Sequence, residues 1–243
     1  MQRSTASILV SILAFSATVV AIGEAAAEMV IVAFGDSTTA PRGDLVVYAT
    51  VLERSLSATG GVARVINAGV GGNTTADARV RFEKDVLARN PGSVIIQFGL
   101  NDASVDVYET PPATQPRVSM KDYEANLRYF VQTLKHRKVK VVLMTPNPCR
   151  WTKALRESYG KPPYRPDDPD GYNVLVQNYA ETVRRISREE RATLVDVYQA
   201  FQTYGKQPRR STDDLLLDGM HPNAKGHELV ARLLLASKQI QED

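Results

Sequence analysis

From residue 29 onward, short runs of β-branched and aliphatic residues alternate with longer amphipathic stretches. The short runs are Met29–Phe34, Ala63–Asn67, Ser93–Phe98, Val139–Thr145 and Thr193–Val197. Several are apolar at nearly every position, the pattern of strands covered on both faces. Between them, helical spacing predicts Asp44–Ser57, Thr75–Arg89, Lys121–Lys135 and Tyr172–Arg188, with a last helix over Ala224–Lys238. Strand and helix follow one another throughout, which predicts one doubly wound α/β domain over residues 28–243 with a parallel sheet. No internal repeat and no linker divides it.

Two connections are longer than this architecture needs. Asp102 to Ser119 carries Pro111-Pro112 and Pro116, and Pro146 to Gly171 carries Trp151, Tyr159, Tyr164 and the Pro/Asp-rich turn Pro166–Asp170. Such insertions are either surface decoration or binding loops on a rigid scaffold. The sole Trp beside two Tyr favours binding in the second. Its aromatics would stack on sugar rings or line an acyl pocket.

The first 27 residues read differently. Arg3 gives a positive start, Ala6–Ile22 is apolar and uncharged, and Ala25-Ala26-Ala27 supplies small residues at a cleavage site. This is a signal peptide cut after Ala27, and the expected location is secreted or periplasmic. An uncleaved anchor is the alternative, but the run is slightly short for a span, so no stable membrane insertion is expected after cleavage.

Composition narrows the classes further. Lys plus Arg number 30 against 27 Asp plus Glu, a net charge of +3 that argues for no nucleic-acid partner. The basic cluster Lys135–Lys138 falls at a helix end, where cations complement the dipole. One cysteine, Cys149, excludes an intrachain disulfide and a Cys-based metal site, and it reads as a semi-buried spectator thiol. No EF-hand spacing, phosphate-cradling glycine pattern or Gly-x-Ser-x-Gly elbow occurs, so no metal and no cofactor are expected.

Four segments fall just beyond strand ends, where doubly wound folds bind ligands. Gly35-Asp36-Ser37 follows the first strand and places a hydroxyl on a strand-to-helix turn. Asn67 to Thr75, with Gly71-Gly72, follows the second and lets backbone N–H groups approach a ligand closely. Gly99-Leu100-Asn101-Asp102 ends the third, and an Asn amide can donate to a developing oxyanion without carrying charge. Asp218-Gly219-Met220-His221 precedes the last helix, with a carboxylate placed to orient an imidazole. Of the three histidines, His136 lies in the basic helix end and His227 inside the last helix, which leaves His221 as the base. Each segment alone has a bland reading as a turn, a flexible connection or a cap. Their co-occurrence in this order carries the inference.

Those four blocks resemble the SGNH hydrolases, also called GDSL-type esterases and lipases, from residue 31 to about residue 236. The resemblance implies a three-layer α/β/α fold with a five-stranded flavodoxin-like sheet. It implies that Ser37 attacks an ester carbonyl, His221 takes the proton, and Asp218 orients His221. The oxyanion hole would comprise the N–H groups of Ser37 and Gly72 and the Asn101 side chain. Aligning on Asn67 and Thr74-Thr75 selects Gly72, with Gly71 one register away. Asp36, Asp102, Trp151 and Tyr164 stand as substrate-binding candidates. Thr38 occupies the position where the family nickname has Leu. With the export signal and the aromatic insertion, it resembles the carbohydrate O-acetylesterases of the family, so a small-molecule or polysaccharide ester is the expected partner. The alternatives are a lysophospholipase or thioesterase acting on longer acyl chains, and a carbohydrate-binding protein without activity.

Overall fold

A computed structural model describes residues 29–58 and 63–237. The expected signal segment, residues 1–27, lies outside the described residues.

The five strands are β1 (Met29–Gly35), β2 (Ala63–Gly69), β3 (Ser93–Gln97), β4 (Lys140–Met144) and β5 (Thr193–Val195). All pair in parallel in the order β2-β1-β3-β4-β5. This is the predicted flavodoxin-like sheet, whose order reverses between β1 and β3 and opens a crevice at their carboxyl ends. The α-helices are α1 (Tyr48–Ala58), α2 (Thr75–Asp85), α3 (Met120–His136), α4 (Lys153–Tyr159), α5 (Val176–Glu190), α6 (Val197–Gly205) and α7 (Ala224–Ala236).

Strand alternation sorts the core into two layers. On one face Val32, Phe34, Val94, Ile96, Val141 and Leu143 pack against α2, α3 and α5. On the other Ile31, Ala33, Ile95 and Val142 pack against α1, α6 and α7. Both faces of β1 and β3 are therefore dry, which accounts for their continuous apolar runs.

The predicted helices differ from the observed ones mainly at their starts. The expected first helix begins four residues late, because Arg42–Leu45 forms a turn around Gly43 at φ +51°. The helix expected from Tyr172 begins at Val176, after a run of turns. The strand expected to reach Val197 stops at Val195, and Asp196 caps α6 by accepting from Gln199 N–H at 3.1 Å. Among the described residues, no helix is long and apolar enough to cross a membrane, and no group of three or more His, Cys, Asp or Glu is placed to hold a metal.

Candidate active site

Ser37 sits on the turn that leaves β1. Asp36 C=O accepts from Thr39 and Ala40 N–H at 3.1 and 3.0 Å, and Asp36 Oδ1 accepts from both Thr38 N–H and Thr38 Oγ1 at 2.8 Å. Gly35 is required here, because a Cβ would lie 2.2 Å from Thr39 Oγ1 and 2.9 Å from Gln97 C=O. Ser37 itself stays half-buried, so its hydroxyl remains reachable.

His221 Nε2 lies 2.9 Å from Ser37 Oγ, and His221 Nδ1 lies 2.8 Å from Asp218 Oδ2. The other carboxylate oxygen accepts from Met220 N–H at 3.0 Å and His221 N–H at 2.9 Å. Partial burial works against the charge on Asp218, but these three hydrogen bonds and the facing imidazole outweigh it and hold the carboxyl well below the usual range. An ionised carboxylate can only accept, so Nδ1 must donate. In the neutral ring Nε2 is then the acceptor for the Ser37 hydroxyl. The loop that presents the pair is pinned by Arg150 N–H on Gly219 C=O (2.7 Å) and by Asn147 Nδ2 on Met220 C=O (2.8 Å). Gly219 has φ +87°, and a Cβ there would meet Arg150 C=O at 2.4 Å.

The glycine loop after β2 closes as a turn from Val70 to Asn73, with the Asn73 N–H 3.3 Å from Val70 C=O. Gly72, at φ +77°, takes the third position of that turn, which calls for positive φ. Neither Ser37 N–H nor Gly72 N–H has a hydrogen-bond partner among the described residues. Asn101 Nδ2 donates one hydrogen to Asn73 C=O at 3.1 Å, which leaves its second amide hydrogen available and ties it to the residue after Gly72. Arg117 Nη1 approaches Asn101 Oδ1 at 3.4 Å and fixes which way the amide faces.

Two further side chains join these loops. Arg81 on α2 donates to Asn73 Oδ1 (2.7 Å), Ala68 C=O (2.8 Å), Gly35 C=O (2.9 Å) and Asp85 Oδ2 (3.1 Å), so one guanidinium spans the ends of β1 and β2. Nothing in the sequence separates Arg81 from other helix-surface arginines except its i,i+4 spacing between Asp77 and Asp85. Asp102 accepts from Thr75 N–H (2.8 Å), Thr75 Oγ1 (2.5 Å) and Gly99 N–H (3.1 Å), tying the Asn101 turn to the first turn of α2. Burial, opposed by the Thr75 hydrogen bonds, pushes its carboxyl up to about 6.

The substrate-binding expectations need correction. Asp36 and Asp102 are 1% and 0% exposed; Asp36 Oδ1 is held by Thr38, and both Asp102 carboxylate oxygens are held by Thr75 and Gly99. Trp151 is 9% exposed; its indole N–H donates to Asp168 C=O at 3.0 Å, and its ring meets Tyr164 and Tyr172 edge-on. Tyr164 is also buried, its hydroxyl accepting from Val105 N–H at 2.8 Å. The aromatic content of the second insertion thus extends the core that covers one face of the sheet. Cys149 is fully buried rather than semi-buried, and burial pushes its thiol up, so it has neither access nor thiolate character.

Comparison with known proteins shows the family and the fold. An acetylxylan esterase of Geobacillus stearothermophilus is 30% identical over 172 residues, which cover 71% of this chain and 70% of that protein. The crystal structure of an acetylxylan esterase from the same organism superposes with a TM-score of 0.68 at 27% identity, covering 88% of this chain and 95% of that one. A lipase/acylhydrolase from Enterococcus faecalis gives a TM-score of 0.64 at 28% identity, over 85% and 93% of the two chains. Residues 33–229 match the GDSL-like lipase/acylhydrolase family, to which this chain belongs as a carboxylic ester hydrolase.

Proposed function

We propose that this protein is an exported serine esterase that removes short acyl groups, acetyl above all, from carbohydrate hydroxyls. The observation that carries the mechanism is the continuous contact from Ser37 Oγ through the His221 ring to Asp218. Ser37 Oγ bonds to the ester carbonyl carbon while its proton passes to His221 Nε2. Negative charge gathers on the carbonyl oxygen, where the N–H groups of Ser37 and Gly72 and the Asn101 amide supply donors already in place. The imidazolium, balanced by Asp218, returns its proton to the departing sugar oxygen as the C–O bond breaks. Water then repeats the sequence on the acyl-enzyme and releases acetate.

The sugar-acetate reading draws on the acetylxylan esterase relatives. Export draws on the N-terminal pattern and on a 30% identical relative from Bacillus subtilis that bears the name lipoprotein. The kinship to the Enterococcus lipase/acylhydrolase favours longer acyl chains as the competing choice. Acetate release from acetylated xylan, pectin and sialosides, run beside an acyl chain-length series of chromogenic esters, separates the two. Activity surviving in Ser37→Ala overturns the mechanism, and a preference for long chains overturns the acetate assignment alone.

A further inference from the structure

The insertion over residues 102–119 reads in the sequence only as a long Pro-rich connection. In the structure its base is closed by Val118 N–H on Asp102 C=O (3.2 Å) and Arg117 N–H on Ser104 C=O (2.9 Å). Arg117 ties this loop to the oxyanion donors. Its Nε and Nη2 grip both oxygens of Asp106 at 2.8 and 2.7 Å, its Nη1 reaches Asn101 Oδ1 at 3.4 Å, and its Nη2 reaches the Tyr108 hydroxyl at 3.5 Å. The Tyr108 ring also meets Tyr159 edge-on, with centroids 5.4 Å apart. Yet Tyr108 is 49% exposed. A large aromatic side chain is thus held on two sides, linked through one guanidinium to the oxyanion donor Asn101, with a broad part of its surface left to solvent.

We infer that Tyr108, with the Arg117–Asp106 pair, forms the subsite for the neutral sugar ring that carries the ester. The inference rests on the sugar-acetate reading above. An acetyl group is too small to reach past the oxyanion donors, so the part that extends over the rim is the alcohol half of the ester. A pyranose offers C–H groups to an aromatic face and hydroxyls to planar polar side chains. Tyr108 supplies the first, and the remaining Nη1 hydrogen of Arg117 with the free lone pairs of Asp106 supplies the second. The pairing also sets the charge class. Arg117 is neutralised by Asp106 in a bidentate contact, so the rim presents hydrogen bonds without net charge and gives no advantage to an acidic sugar. Because the ring is already held by its neighbours, little side-chain freedom is lost on binding. Trp151 and Tyr164, buried beneath, hold up the platform through Tyr159, which packs on both Tyr108 and Tyr164.

The test is a ratio of kcat/KM for an acetylated xylo-oligosaccharide to that for 4-nitrophenyl acetate, measured on the full protein. Tyr108→Ala is expected to lower the ratio about fivefold, chiefly through KM for the sugar ester. Tyr108→Phe, which keeps the ring, is expected to hold the ratio within twofold. Tyr129→Ala is the control for loss of an exposed tyrosine, since that ring lies on α3 under Arg79, and it should leave the ratio alone. An unchanged ratio in Tyr108→Ala, with the wild type preferring the sugar ester, overturns the subsite and spares the sugar-acetate reading. A wild type with no preference for the sugar ester overturns both. Faster wild-type turnover of acetylated oligogalacturonate than of acetylated xylo-oligosaccharide overturns the neutral-sugar assignment.

Discussion

Asp218→Asn changes almost nothing in size, and the structure fixes what the new amide must do. Met220 N–H and His221 N–H both point at Asp218 Oδ1, at 3.0 and 2.9 Å, so the amide oxygen stays there and the amide nitrogen turns to His221 Nδ1. The imidazole must then accept at Nδ1 and carry its proton on Nε2, the atom 2.9 Å from Ser37 Oγ. That tautomer cannot take a proton from serine. Flipping the amide restores the acceptor but gives up two backbone hydrogen bonds, about 1 kcal/mol each. The lost carboxylate also leaves the transition-state imidazolium unbalanced. With charges about 4 Å apart and an effective dielectric of about 20, that attraction is about 4 kcal/mol. Asp218 is 45% exposed, so solvent screening cuts it to about 2 kcal/mol. The total, about 4 kcal/mol, is about a thousandfold in kcat. Initial rates on 4-nitrophenyl acetate, with Tm to check folding and Ser37→Ala as the floor, measure it. A variant within tenfold of wild-type kcat at unchanged Tm refutes the tautomer argument.

Asn101→Ala removes the proposed side-chain oxyanion donor and should lower kcat by about 10²–10³-fold on the same assay with little change in KM. Arg81→Met should lower kcat at least tenfold by releasing Asn73, and through it Asn101; in an Asn101→Ala background the further loss should be under threefold, and full additivity would refute that route. Trp151→Ala should cost about 3–5 kcal/mol of stability, a fall in Tm of about 10 °C, with KM for acetyl esters held within twofold. An unchanged Tm with a raised KM would return Trp151 to the binding surface. His227, buried with Nδ1 accepting from Tyr48 N–H at 3.2 Å, is pulled down from 6.5 to about 4, chiefly by burial and then by Arg42 and His221. Below pH 6.5 the unfolded chain gains a proton that the folded chain refuses, so this group removes stability as pH falls toward 4. Asp102, raised to about 6, does the reverse, taking its proton first in the folded state and adding stability as pH falls from 6 toward 3.8. His227→Asn keeps the acceptor for Tyr48, and its stability relative to wild type should rise as pH falls from 6.5 to 4.5, by about 2 kcal/mol or about 5 °C in Tm. A constant difference in Tm across that range would refute the assignment.

The sheet is legible in the sequence because burial on both faces writes itself there as apolar runs, and β1, β3 and β4 fall within two residues of expectation at each end. Ser37, Asn101 and His221 are legible because strand-end turns admit few residue types and the four blocks occur together. α6 is hidden because Val197, Tyr198 and Phe201 continue the β-rich composition of β5, and only the capping by Asp196 interrupts it. α4 buries none of its residues, so it carries no amphipathic period to find. The role of Arg81 depends on a partner far along the chain, Gly35 at a separation of 46 residues, and those of Arg117 and Asp106 on a loop closure that composition does not record. Trp151 misleads for the same reason, since an aromatic on a long loop has one composition whether it faces solvent or another ring.

Ser37 and His221, the proposed nucleophile and base, lie 184 residues apart in the sequence. The three proposed oxyanion donors, by contrast, lie between Ser37 and Asn101 and are laced together through Arg81, Asn73, Asp102 and Thr75. The base loop is secured separately, by Arg150, by Asn147 and by α7 docking on α1. During synthesis the early strands and the proposed donors emerge before the segment bearing His221. A nascent or half-folded chain therefore holds a serine with no partner to activate it. Docking of α7 on α1 thus brings the proposed base to the serine, so the tertiary step that joins these two helices is also the one that would switch hydrolysis on.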